Sequence, residues 1–148
     1  MKTLIVDESS VSYANLSALL EKLGVEVLEK VATENEITRT IEQHHPELIL
    51  MDTRCSYLNG IHTIRKIKEL YPEINLVVIT VFEDSQSVKN AFVSGVQDII
   101  TKPIESQRLV SSLQKLGLLS ATNGSEASPE PESKGGEPPN LIAVEKAV

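Results

Sequence analysis

The chain has 148 residues, 41% of them hydrophobic and 24% charged, enough for one domain with a buried core. Its net charge of -7 argues against a sequence-independent grip on nucleic acid or an anionic membrane, and 3% aromatic residues with no Trp give no stacking platform for single strands. The lone Cys55 cannot form an internal disulfide, no run reaches the roughly 20 apolar residues of a membrane span, and the short run after Met1 is no signal peptide, so a soluble cytoplasmic protein is expected.

Lys2-Thr3-Leu4-Ile5-Val6 reads as a first strand running into Asp7-Glu8. A helix follows, capped by Ser9 or Ser10, with Val11, Leu16, Leu19, Leu20 and Leu23 inward and Gly24 at its end. Val25-Glu26-Val27-Leu28 is a more polar strand, suited to a sheet edge. The second helix spans 33–45, with Ile37 and Ile41 one turn apart and Pro46 beyond. Leu48-Ile49-Leu50-Met51 then runs into Asp52. The third helix, 59–71, carries Ile61, Ile64, Ile67 and Leu70 on one stripe, with Pro72 after it. Leu76-Val77-Val78-Ile79 runs into Thr80, and the fourth helix covers 84–94 before Gly95. Asp98-Ile99-Ile100-Thr101 runs into Lys102-Pro103, and the fifth helix covers 105–116 before Gly117.

Strands alternating with helices of this length indicate βαβ units and a parallel sheet with helices on both faces. Beyond Gly117 the pattern stops. Residues 118–140 hold four of the seven prolines among Ser, Gly and Glu, which predicts a disordered acidic linker. Residues 141–148 are apolar again and read either as a frayed terminus or as a short docking segment on that tether, whose flexible span of roughly 25 Å reaches most faces of its own domain. The expected division is therefore a domain over 1–117, a linker over 118–140 and a segment over 141–148, with no further domain after it.

The strand ends carry the chemistry. In an open parallel sheet the carboxyl ends of the strands share one edge, where ligands bind. Asp7, Glu8, Asp52, Thr80 and Lys102 all fall there. Three close carboxylates raise one another's pKa unless a cation joins them, and a hard oxygen-liganded ion such as Mg2+ suits them. With Lys102 opposite, that charge can neutralise an incoming phosphoryl group. One carboxylate can then serve as nucleophile, giving an acyl phosphate, and Thr80 can hydrogen-bond a phosphoryl oxygen. An FMN site is disfavoured because Asp7-Glu8 would repel its phosphate, and no G-x-G-x-x-G follows any strand to hold a nicotinamide cofactor.

Over residues 1–117 these marks resemble the receiver domain of two-component response regulators, of the stand-alone chemotaxis-regulator type. The acidic pair in Val6-Asp7-Glu8-Ser9, Met51-Asp52 with Gly60 eight residues on, Ile79-Thr80 and Thr101-Lys102-Pro103 stand in the family's order and spacing. The resemblance implies a flavodoxin-like, doubly wound five-stranded α/β fold of strand order 2-1-3-4-5 with five helices. It implies Asp52 as the phosphorylated residue, with Asp7, Glu8, Asp52 and the backbone carbonyl of Arg54 holding Mg2+. Lys102 would contact the phosphoryl group beside a cis bond to Pro103, and Thr80 would move to bind it. Such a chain catalyses its own phosphoryl uptake and loss and is no metabolic enzyme. Its implied partners are a sensor histidine kinase or histidine phosphotransfer protein and a downstream protein target, with pairing of two copies left open. A phosphorelay intermediate and a phosphorylation-independent interaction module are the alternatives.

Several positions depart from that family. Ile99 stands where a switch aromatic is usual, Val81 where Ala or Gly is usual, Glu8 where Asp is commoner, and Cys55-Ser56 where Met-Pro is usual. A branched Val81 is expected to crowd the phosphoryl group and hinder attacking water, with Arg54 and Phe82 flanking the same path. Ser9 and Ser10 read as caps, Cys55 as an ordinary thiol, His44-His45 as a solvated helix end, and Tyr13 and Tyr71 as covers over helix ends.

Overall fold

The structure, a computed structural model, describes residues 1–52, 60–81, 85–119, 141–142 and 144–145. Five strands, β1 (Lys2–Val6), β2 (Glu26–Val27), β3 (Leu48–Asp52), β4 (Asn75–Thr80) and β5 (Asp98–Thr101), form one sheet of order β2-β1-β3-β4-β5. Every pairing in it is parallel. Between and after them run α1 (Ser10–Lys22), α2 (Glu34–His44), α3 (Gly60–Leu70), α4 (Ser85–Val93) and α5 (Ser106–Lys115). This is the doubly wound, flavodoxin-like arrangement expected.

The chain partitions into two compact units, Met1–Leu109 and Val110–Val148. The first holds the whole sheet, α1 to α4 and the start of α5. One face of its sheet presents Leu4, Val6, Ile49, Met51, Leu76, Val78 and Ile99 to a core that includes Ile37 and Ile41 of α2 and Ile64 and Ile67 of α3. Alternation along each strand sends Ile5, Leu50, Val77 and Ile100 to the opposite face, where they are equally buried. Strands hidden on both faces read as continuous apolar runs, which is why they are legible in the sequence. The second unit holds the end of α5 and two short paired strands, β6 (Leu141–Ile142) and β7 (Val144–Glu145).

Local chemistry sets the helix ends. The Ser9 hydroxyl caps α1 by accepting from the Ser12 N–H at 3.2 Å. Thr33 and Glu36 form a capping box at α2, and Glu36 Oε1 also accepts from Ala32 N–H at 2.8 Å. At the end of α1, Gly24 at φ 80 lets Val25 N–H turn back to Leu20 C=O at 3.1 Å, a closure that a Cβ would oppose. His45 ends α2 in the left-handed region, exposed as expected. Tyr13 Oη donates to Leu28 C=O at 2.9 Å and so ties α1 to the chain after β2.

The structure corrects several expectations. Val11 is 72% exposed, because it lies about 140° around the helix from Leu16 at 100° per residue. Leu70 is 58% exposed, since Tyr71, four residues after Ile67, takes the place on the core stripe. β2 is only two residues long, paired through Lys2↔Glu26 and Thr3↔Val27, as its edge position allows. Thr33 and His45 are caps and not helix members, and α5 is one residue shorter than expected at each end. Asn59 and Asp84, expected to open α3 and α4, lie outside the described residues.

Candidate functional site

At the carboxyl edge of the sheet, Asp7, Glu8, Ser9, Ser12, Asp52 and Lys102 line one cleft of about 390 Å³. Three segments distant in sequence supply them. Asp7 follows β1, Asp52 closes β3, and Lys102 follows β5.

Asp7 is fixed from two sides. Its N–H donates to Val31 C=O at 2.9 Å, and its Oδ1 accepts from Ser9 N–H at 2.8 Å. Burial pushes its carboxyl above the usual Asp value. The Asp52 charge adds to that rise, against the Ser9 N–H, Lys102 and Lys30, which favour the ionised form. Lys102 Nζ donates to Asp52 Oδ2 at 2.5 Å and to Ser12 Oγ at 3.4 Å. The Lys102 and Asp52 side chains are 19% and 8% exposed, so the pair lies at the cleft floor and not on open surface. Lys102 N–H also donates to Thr80 C=O at 2.8 Å, and the Lys102–Pro103 bond is cis.

The expected residues therefore separate into three groups. Asp7, Asp52 and Lys102 meet closely, and Glu8 joins them on the cleft wall as an exposed side chain. Thr80 sits buried at the end of β4 beside Thr101, at the same sheet edge but outside the cleft lining. Arg54, Cys55, Ser56 and Phe82 lie outside the described residues. Val81 is half-buried next to Thr80, and Ile99 is buried in the core.

Two contributors were absent from the sequence reading. Lys30 stands beyond Glu29 after the short, polar second strand, so its signal in the sequence is weak. Ser12 also carried only a weak signal. It is a first-turn serine of α1, and what makes it relevant is a lysine 90 residues away.

The donor set fits a hydrated magnesium ion. Among the described residues no three His, Cys, Asp or Glu side chains are arranged to hold a metal between them. Magnesium keeps several waters and binds through one or two carboxylates, which Asp7 and Asp52 can provide. Burial, with the Asp52 charge adding to it, raises the pKa of Asp7, and a bound cation would favour its ionised form.

A family model for the response regulator receiver domain matches residues 3–114. The chain is 27% identical over 115 residues to a chemotaxis protein CheY of Thermotoga maritima, covering 78% of this chain and 96% of that protein. It is 31% identical over 118 residues to the transcriptional regulatory protein YhcZ of Bacillus subtilis, covering 79% of this chain but 55% of that longer protein. Among solved structures it resembles a response regulator from Thermotoga maritima with a TM-score of 0.71 and 24% identity, over 78% of this chain and 95% of the other. It also resembles the receiver domain of sensor histidine kinase PA1611 from Pseudomonas aeruginosa, with a TM-score of 0.68 and 26% identity over 77% and 94% of the two chains. That structure has a magnesium ion coordinated in its active site cleft.

Proposed function

Because this chain belongs to the response regulator receiver domain family, we propose that it accepts a phosphoryl group on Asp52 and signals through protein contact that depends on that group. The observation that carries this reading is the Lys102 Nζ to Asp52 Oδ2 contact on the floor of a cleft that Asp7 also lines. A carboxylate nucleophile needs its charge stabilised but not neutralised by a proton, and an ammonium at its oxygen does that.

The donor is a phosphohistidine on a sensor kinase or on a histidine phosphotransfer protein. An Asp52 oxygen forms the new P–O bond, the P–N bond breaks, and its electron pair returns to the imidazole ring. Lys102 turns its N–H donors from the Asp52 carboxylate toward the phosphoryl oxygens as charge gathers there. Thr80, at the adjoining strand end, offers a hydroxyl to one of those oxygens. Asp7, Glu8 and Asp52, with the Arg54 carbonyl, would hold magnesium directly or through its retained waters, and the ion when bound supplies further charge neutralisation at the phosphoryl group. In this reading residues 1–117 form the receiver, 118–140 a linker and 141–148 a docking segment.

Incubation with magnesium and a small phosphodonor such as acetyl phosphate, followed by mass analysis, tests the proposal. Wild type gains the mass of one phosphoryl group, and Asp52→Asn gains none. No gain in wild type overturns the proposal and leaves a receiver-fold interaction module. Loss of the phosphoryl group to an added histidine phosphotransfer protein assigns the chain to a relay and displaces the terminal signalling role.

A further inference from the structure

We propose that Ser12 is a positioning residue for phosphoryl transfer, acting through Lys102. This inference rests on the reading of Asp52 as phosphoacceptor and adds a residue to that site.

Lys102 ends in a compact ammonium on a flexible four-carbon stem, with three N–H donors. One donor meets Asp52 Oδ2 on the sheet side of the cleft, and another reaches Ser12 Oγ on the α1 side at 3.4 Å. The two acceptors stand on separate elements and both line the cleft. Ser12 is itself held. Its backbone N–H is spent on the Ser9 cap, and it sits in the first turn of α1, where the helix fixes the direction of its side chain.

The reaction changes one of these anchors and leaves the other. When an Asp52 oxygen forms the P–O bond, the carboxylate becomes an acyl phosphate, and the negative charge that held Lys102 moves outward onto the phosphoryl oxygens. The ammonium must follow it. A second acceptor on a separate element limits where the stem can swing, so Lys102 stays in the cleft while its partner changes. A neutral hydroxyl suits this role, because a second carboxylate there would compete with the phosphoryl group for the same ammonium. The contact is long in the free protein, as catalytic hydrogen bonds often are before the reacting complex tightens them.

The test compares wild type, Ser12→Ala and Ser12→Thr in the full chain for the rate of phosphoryl uptake from acetyl phosphate at saturating magnesium. Loss of one modest hydrogen bond to an ammonium predicts a rate about three- to tenfold lower in Ser12→Ala. Ser12→Thr keeps the oxygen and recovers most of the rate. Thermal unfolding and magnesium affinity measured by calorimetry stay at the wild-type values in both variants, since neither rests on this hydroxyl. A double-mutant cycle supplies the deciding measurement: in a Lys102→Ala background, Ser12→Ala has no further effect, because Ser12 acts only through the ammonium. An unchanged rate in Ser12→Ala, or an equal loss in the Lys102→Ala background, overturns the inference while phosphoryl uptake by wild type still stands. If wild type takes up nothing, the reading of Asp52 falls first.

Discussion

Asp7 is a carboxylate that the fold buries next to another carboxylate, and its charge is correspondingly costly. Its pKa lies above the ordinary Asp value, chiefly through burial. The folded state therefore binds a proton more readily than the unfolded chain, and the linkage has a definite sign. Stability falls as pH rises from the ordinary carboxylate value through the raised one, and the loss persists at neutral pH. Asp7→Asn retains an oxygen for the Ser9 N–H and removes the charge. In magnesium-free buffer at neutral pH, Asp7→Asn is expected to unfold at a higher temperature than wild type. The gap closes on acidification below the ordinary Asp value, where both side chains are neutral. A calorimetric series in pH checks this, and a constant gap across the series counts against it. The same buried charge gives a bound cation something to neutralise.

β5 and α5 show how an element at the edge of the sheet is secured. β5 is the last strand in the order, so among the described residues no neighbouring strand lies beyond it. Side chains take over there. Asp98, only 4% exposed, accepts from Ile99 N–H at 2.9 Å and is held by Arg108 of α5 through two N–H···O bonds of 3.1 and 3.2 Å. Arg108 also donates to Ile99 C=O at 2.8 Å, covering part of an edge that could otherwise pair with another strand. The Arg108 side chain is 41% exposed, so solvent screens part of the pair. Arg108→Ala leaves a buried carboxylate and a carbonyl short of donors, and is expected to cost about 1–3 kcal/mol in urea unfolding. Arg108→Lys recovers only part of that, because an ammonium cannot make the forked contact. An unchanged urea midpoint for Arg108→Ala contradicts this account.

Across the molecule, the ends of β1 and β3 bring like charges to one edge and two lysines moderate them. Lys102 and Lys30 both favour the ionised form of Asp7, yet burial and Asp52 outweigh them. A ligand that binds only the folded chain stabilises it by mass action, by about 2.7 kcal/mol at a concentration a hundredfold above its Kd. Magnesium is accordingly expected to raise the unfolding temperature of wild type by several degrees, and to raise that of Asp7→Asn much less. Equal shifts in the two proteins would remove Asp7 from the metal site. Among the described residues no helix is long and apolar enough to cross a membrane.

The apolar runs, the Gly and Pro that interrupt them, and the polar residues closing each run were enough to place ten alternating elements and to bring Asp7, Glu8, Asp52, Thr80 and Lys102 to one sheet edge as candidates. Those features are local, and doubly buried strands advertise themselves by composition alone. The errors arose where a residue's face depends on what packs against it. Val11 and Leu70 are apolar and helical, and both face solvent because Leu16 and Tyr71 occupy the positions that meet the core. Ile99 illustrates the division most clearly. Its identity departs from the family pattern in the sequence itself, but its burial against the α2–α4 face and the anchoring of its backbone by Arg108 follow from packing. The same holds for the cleft. Its titratable residues are legible because strand ends share an edge, whereas the 2.5 Å Lys102–Asp52 contact and the Lys102–Ser12 contact join residues 50 and 90 positions apart. Such contacts have no local signature, since only chain closure brings them within hydrogen-bond reach.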